Sequence, residues 1–169
     1  AQGTQENLII FRKYPLHSIW TGIFLDGPES SASQIAYWHI EGSYYGLRFD
    51  NSSPTITHVT SSNNQYGFSI GYDSAPTISH STASDNNSGF YIHYGATPTI
   101  TDSIATNNIT GVHVRGVVVP GAYADPNPIV KRSSLYGNTQ YNVFTDYFLN
   151  PDAILNFEEN WWGSTDPGV

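Results

Sequence analysis

The chain has 169 residues, no Cys, no Met, and 14 Asp+Glu against six Lys+Arg, for a net charge of −8. That length bounds one ordinary domain, and the lack of sulfur excludes disulfides, thiolate nucleophiles and thiolate or thioether metal ligands. The six basic residues, Arg12, Lys13, Arg48, Arg115, Lys131 and Arg132, form no cluster, which excludes a nucleic-acid footprint, and no apolar run is long enough for a membrane span.

In chain order, the first apolar alternation is Ile23 and Leu25, just after Trp20-Thr-Gly, and it is taken up again by Ile35 and by Leu47 and Phe49. The centre is written in near-copies. Pro54, Pro76 and Pro98 each open a Pro-Thr-Ile-Thr or Pro-Thr-Ile-Ser phrase at a step of 22 (76 − 54 = 98 − 76), and Gly67, Gly89 and Gly111 keep that step. A repeat of this size is a unit that buries its apolar face only by stacking on its neighbours. Set in register, the copies align Ile56, Ile78 and Ile100 in one column, Phe68, Phe90 and Val112 in a second, and Ile70, Ile92 and Val114 in a third. Alternating β-branched and aromatic residues between Asn, Gly and Ser clusters are strand signals with turn punctuation.

After Arg115 the step fails, because Pro128 follows Pro98 by 30 residues. Residues 117–127 therefore read as a loop inserted between coils. Val130 resumes the Ile100 column, and Ala153 to Gly163 read as a last partial coil, with Trp161 and Trp162 expected to cap the open core. The expectation is an all-β solenoid of six or seven coils, about 22 residues each, with two or three short parallel strands per coil. It is a single domain over 1–169, read as a fragment of a longer extracellular protein.

One polar column is as regular as the apolar ones: Asn64, Asn86 and Asn108 at a step of 22, then Asn138 after 30. Stacked Asn side chains pass hydrogen bonds from coil to coil and tolerate the left-handed backbone of tight turns, so these residues are assigned to folding as an internal Asn ladder.

The Ser-x-Pro-Thr-Ile phrase with its Asn-rich turn and Gly-aromatic-x-Ile strand, Trp20-Thr-Gly-Ile23, and Asn160-Trp-Trp-Gly163 resemble the right-handed parallel β-helix repeat proteins, the pectate-lyase-like superfamily of secreted solenoid domains. The resemblance covers most of the chain. It implies the β-helix fold and an extracellular or cell-surface location beside flanking domains. Lyases of that superfamily need clustered Asp for Ca²⁺ with an Arg or Lys base, and its hydrolases need closely spaced Asp with His and Arg or Lys nearby. This chain has no Asp-Asp pair and no His-Gly, so no catalytic residues are assigned.

The outward positions of the Gly-aromatic strand give two columns, Arg48, Ser69, Tyr91, His113 and Asp50, Gly71, His93, Arg115. The superfamily resemblance implies a substrate groove on this face, and the inserted loop, carrying Tyr123 and Asp125, is expected to wall it. Tyr stacking on a sugar face with His and Arg hydrogen bonds suits an acidic or neutral glycan, so Arg48, Asp50, Tyr91, His93, His113, Arg115 and Tyr123 are the candidate carbohydrate-binding residues.

A further column, His58, His80 and Asp102, then Arg132, is a weak candidate for a divalent metal; the assignment is none, and no cofactor is expected. The Thr55/Thr57, Thr77/Ser79 and Thr99/Thr101 rows are read as β-branched residues on pleated strands rather than an ice-ordering array. The leading expectation is a secreted or cell-surface module that binds a polysaccharide or cell-surface glycan without catalysis, with no nucleic-acid partner and no membrane span. The alternatives are a polysaccharide lyase or glycoside hydrolase, and a structural stalk or adhesin spacer.

Overall fold

A computed structural model describes residues 2–13, 20–116 and 124–163. Among them the chain winds into a parallel solenoid whose strands, β1 to β17 in chain order, stack in three sheets. The first sheet holds β1 (Ile9–Arg12), β4 (Trp38–Glu41), β7 (Thr60–Ser62), β10 (Thr82–Ser84), β13 (Ile104–Thr106) and β16 (Ser134–Tyr136). The second holds β2 (Gly22–Asp26), β5 (Tyr45–Asp50), β8 (Tyr66–Gly71), β11 (Ser88–His93), β14 (Thr110–Arg115) and β17 (Tyr141–Asp146). The third holds β3 (Gln34–Ala36), β6 (Thr55–Thr57), β9 (Thr77–Ser79), β12 (Thr99–Thr101) and β15 (Ile129–Lys131).

The register follows the repeat. Ile35, Ile56, Ile78, Ile100 and Val130 pair in succession in the third sheet, and Ile23, Leu47, Phe68, Phe90, Val112 and Val143 do so in the second. These side chains point into one shared core, where Phe68 and Phe90 stack at 4.9 Å and Ile56, Ile78, Ile100, Leu47 and Val112 are fully buried. The coil count is lower than the six or seven expected. Five coils carry all three strands, and a sixth has only β16 and β17. Its third side is reduced to an isolated bridge of Asn156 to Ile129, and a bridge of Trp161 to Ser134 continues the first sheet.

Polar ladders close the corners. The Oδ1 of Asn64, Asn86, Asn108 and Asn138 accepts, in turn, from the backbone N–H of Ser43, Asn64, Asn86 and Asn108 at 2.9–3.0 Å. Their Nδ2 groups donate to the carbonyls of the preceding coil, as Asn86 does to Ser61 and Asn108 to Ala83. Both ends of each amide are thus satisfied while buried. The left-handed backbone falls one residue earlier than expected, on Asn63, Asp85 and Asn107, with φ of 56°, 58° and 57°.

A second ladder was not anticipated. Backbone N–H groups of Val59, Ser81 and Ser103 donate to the hydroxyls of Ser81, Ser103 and Ser133, and Ser133 N–H donates to Asn160 Oδ1 at 2.9 Å. Asn160 also donates to the carbonyls of Val130 and Phe157 and so ends the series. The two Trp beside it do not seal the core: Trp161 and Trp162 remain 46% and 44% exposed, while Leu155 and Phe157 pack against the interior.

Candidate ligand-binding face

Strands of the second sheet reach six residues, whereas those of the third have three. Longer strands give a wider face, and here its outward positions are the ones that fail to repeat. The pairing Phe24, Arg48, Ser69, Tyr91, His113, Phe144 forms one outward column. Asp26, Asp50, Gly71 and then His93, Arg115, Asp146 form the next. The two columns expected from sequence are therefore present, each extended by a rung at both ends. A third column, Tyr45, Tyr66, Ser88, Thr110, Tyr141, lies beside them.

The aromatic rings of this face stack on one another. Tyr66 lies between Tyr45 at 5.6 Å and Tyr91 at 4.7 Å, with interplanar angles of 18° and 25°. Tyr91 is in turn stacked with His93 at 4.6 Å, and His113 bridges Tyr91 and Phe144 at 5.1 Å each. The expected mode, a sugar lying flat on Tyr91, is therefore changed. Its ring faces are occupied by Tyr66 and His93, and what remains for a ligand is ring edge and hydroxyl.

Charges on the face come in pairs. Arg48 Nε donates to Asp50 Oδ2 at 2.7 Å, and its guanidinium stands 4.8 Å from the Tyr45 ring centroid. Burial acts against the Arg48 charge, but Asp50, Tyr45 and Tyr72 outweigh it and the pKa rises above the ordinary arginine value. Four rungs away, Asp146 contacts His113 Nε2 at 2.9 Å and lies 4.0 Å from Arg115. Arg115 behaves like Arg48: burial opposes the charge, while Tyr91, Asp146 and Tyr147 hold its pKa raised. Tyr91 is pushed up by burial, against the pull of Arg115.

His93 is the buried centre, only 7% exposed although it points outward. Its ring lies over Gly71, where an added Cβ would run into the imidazole, so that glycine makes room for the histidine. His93 Nε2 meets Ser69 Oγ at 3.3 Å, whereas Nδ1 has no hydrogen-bond partner among the described residues. Burial first, then the charges of Arg48, Arg115 and His113, push the His93 pKa down to about 3. The imidazole is neutral throughout the physiological range. Asp50 Oδ1 is likewise buried without a partner. A cavity of about 190 Å³ opens here, lined by Tyr91, His93, Tyr94, Arg115 and Gly116.

The remaining candidates are placed as follows. Tyr123 and residues 117–123 of the inserted loop lie outside the described residues. Asp125 accepts from the backbone N–H groups of Leu149 and Asn150 at 3.1 and 2.9 Å. His58, His80, Asp102 and Arg132 occupy one left-handed turn position in successive coils, with φ of 53°, 49°, 51° and 49°. Tyr37, His58 and His80 stack, the two imidazoles 5.1 Å apart and 7° from parallel, and Arg132 grips Asp102 through two hydrogen bonds of 3.0 and 2.9 Å. The lone pairs of stacked imidazoles lie in their ring planes and do not converge on one ion, and no group of metal-ligating side chains forms among the described residues.

Asp26 and Asp146 were not found from sequence, although both continue the Asp50 to Arg115 column. Asp146 follows Arg115 by 31 residues rather than 22 because the inserted loop lies between, and Val143, 31 residues after Val112, was the signal for that shift.

Residues 21–161 match the family described as the right-handed β-helix region. No curated protein and no solved structure matches the chain.

Proposed function

For this chain, which belongs to the right-handed β-helix family, we propose a non-catalytic glycan-binding role, with the outward face of the second sheet as the binding surface. One observation carries it: Tyr91, His93 and Arg115 converge on a cavity, flanked by two guanidinium–carboxylate pairs, on the face that departs from the repeat. A structural spacer has no need of such a departure. Polar groups set among aromatic rings in a concavity are the common form of a small-ligand site. The module is assigned to the secreted or cell-surface class on its Tyr-rich, sparsely charged composition.

Binding is favoured over catalysis by the carboxylates. Asp50 and Asp146, the carboxylates on either side of the cavity, stand four rungs apart, roughly 19 Å at the spacing of stacked strands; Asp26, paired one rung beyond Asp50, lies farther still from the cavity. The carboxyl pair of a glycosidase is separated by at most about 9.5 Å. Asp50 is also tied to Arg48, and Arg115, held charged, is a hydrogen-bond donor and not a base.

The test is affinity electrophoresis of the purified chain through gels containing different polysaccharides. Retardation by at least one, abolished in Arg115→Ala and kept in Thr77→Val on the third sheet, is expected, with no release of reducing ends or unsaturated product. Migration unaffected by every polysaccharide overturns the proposal, and depolymerisation lost in Arg115→Ala replaces it with an enzyme.

A further inference from the structure

We infer that the ligand of this face is an uncharged glycan, and that the Tyr91, His93, Tyr94, Arg115 and Gly116 cavity is the subsite for one of its hydroxyl-bearing sugar rings; uronate polymers are excluded. The inference rests on the glycan-binding reading and narrows it.

Its first support is the charge pairing. Each arginine on the face already has a carboxylate: Arg48 has Asp50, and Arg115 shares Asp146 with His113. Asp26, exposed at the end of the same column, adds a third carboxylate against two guanidinium groups. A uronate must displace Asp50 or Asp146 from its arginine and approach a chain of net charge −8. Moving a guanidinium from one carboxylate to another yields little, while the displaced Asp, partly buried, is left without its counter-charge. A neutral sugar asks for none of this. A hydroxyl donates to the carboxylate and accepts from the guanidinium of the same pair, leaving the ion pair in place.

The second support is the His93 imidazole. Among the described residues its Nδ1 is the one ring nitrogen of His93 without a partner, and Ser69 and Gly71 hold the ring in position from the strand beside it. A hydroxyl satisfies either tautomer, since it donates to a bare nitrogen or accepts from a protonated one; a carboxylate meets only the protonated one. Burial, together with the guanidinium charges of Arg48 and Arg115, keeps this ring uncharged, so it offers an anion no compensating charge. The cavity volume of about 190 Å³ suits one sugar ring rather than a run of them.

Titration calorimetry with the intact chain decides it, using matched panels: neutral oligosaccharides (gluco-, manno-, xylo- and galacto-) and uronate oligosaccharides of equal length, the latter with and without Ca²⁺. The expected result is binding of at least one neutral series with Kd nearly unchanged between low and high salt, and a Kd about tenfold weaker in Arg115→Gln and in His93→Phe. His93→Phe preserves a ring over Gly71. Because His93 is buried, its thermal unfolding is recorded alongside, and Arg115→Gln, at a half-exposed position, carries the test if that variant does not fold. Binding of uronates in preference, weakening with salt or requiring Ca²⁺, overturns the inference and leaves the glycan-binding reading intact. Neutral binding unchanged in both variants overturns the assigned subsite. Binding of neither panel, together with no retardation in any gel, overturns both.

Discussion

Over the three central coils the outward faces of the second and third sheets are built on the same backbone period, yet one repeats and the other does not. On the third sheet, Thr55, Thr77 and Thr99 stand in one row and Thr57, Ser79 and Thr101 in another, each rung solving the same packing problem in the same way. On the second sheet, successive rungs present Arg48, Ser69, Tyr91 and His113, then Asp50, Gly71, His93 and Arg115. Directly beneath them, on the same strands, the inward residues repeat as faithfully as any in the chain. In a stacked fold, residues that serve the stack recur with it, because every rung faces the same neighbours. A non-recurring face on a recurring scaffold marks positions where something other than stacking set the residue.

The sharpest way to break that contrast is to exchange its two sides on a single strand. Phe90 points inward, stacked on Phe68 and 1% exposed, while Tyr91 points outward beside it. Phe90→Ala is expected to cost about 3–5 kcal/mol in urea unfolding, the usual range for emptying a buried aromatic site. Tyr91→Ala, measured in the same way, is expected to cost clearly less, and an equal loss would mean that the outward rings are core after all.

The second prediction concerns an outward residue that behaves as an interior one. The folded pKa of His93 is about 3, below the value near 6.5 of an unfolded chain. As pH falls, the unfolded chain takes up the proton first, so stability complete above about pH 6.5 declines from there toward pH 3. Between pH 7 and 5 this residue should remove about 2 kcal/mol of stability. Thermal or urea unfolding of His93→Gln at the two pH values should show that part of the pH dependence gone. An unchanged dependence would mean that burial and the neighbouring charges do not hold the ring neutral.

The smallest effect is expected on the repeating face. Thr77→Val keeps the β-branched shape at an exposed position and should alter stability by no more than about 0.5 kcal/mol by the same unfolding measurement.

Much of this was legible in the residues themselves. Ile56, Ile78 and Ile100 at equal steps announce stacked strands, and the register they imply also aligned the outward columns correctly through Arg48, Tyr91 and His113. The Ser81, Ser103, Ser133 ladder carried the same step and the same interruption as the Asn series, and was missed only because Ser is common in this chain. Asp146 was hidden by the insertion that changes the spacing after Arg115. The stacking of Tyr45, Tyr66 and Tyr91 on one another left no such trace: spacing specifies which strand a ring belongs to and not how the ring turns.

The sequence by itself determined the parallel stack, its register, its apolar interior and its Asn column, because these follow from one translational period that every copy obeys. Only the tertiary structure decided that the tyrosine faces are spent on each other, that Arg48 and Arg115 are paired with Asp50 and Asp146, and that His93 lies buried over Gly71 with one nitrogen unsatisfied. Side-chain rotamers depend on the particular neighbours in the rungs above and below. On this face no two rungs offer the same ones.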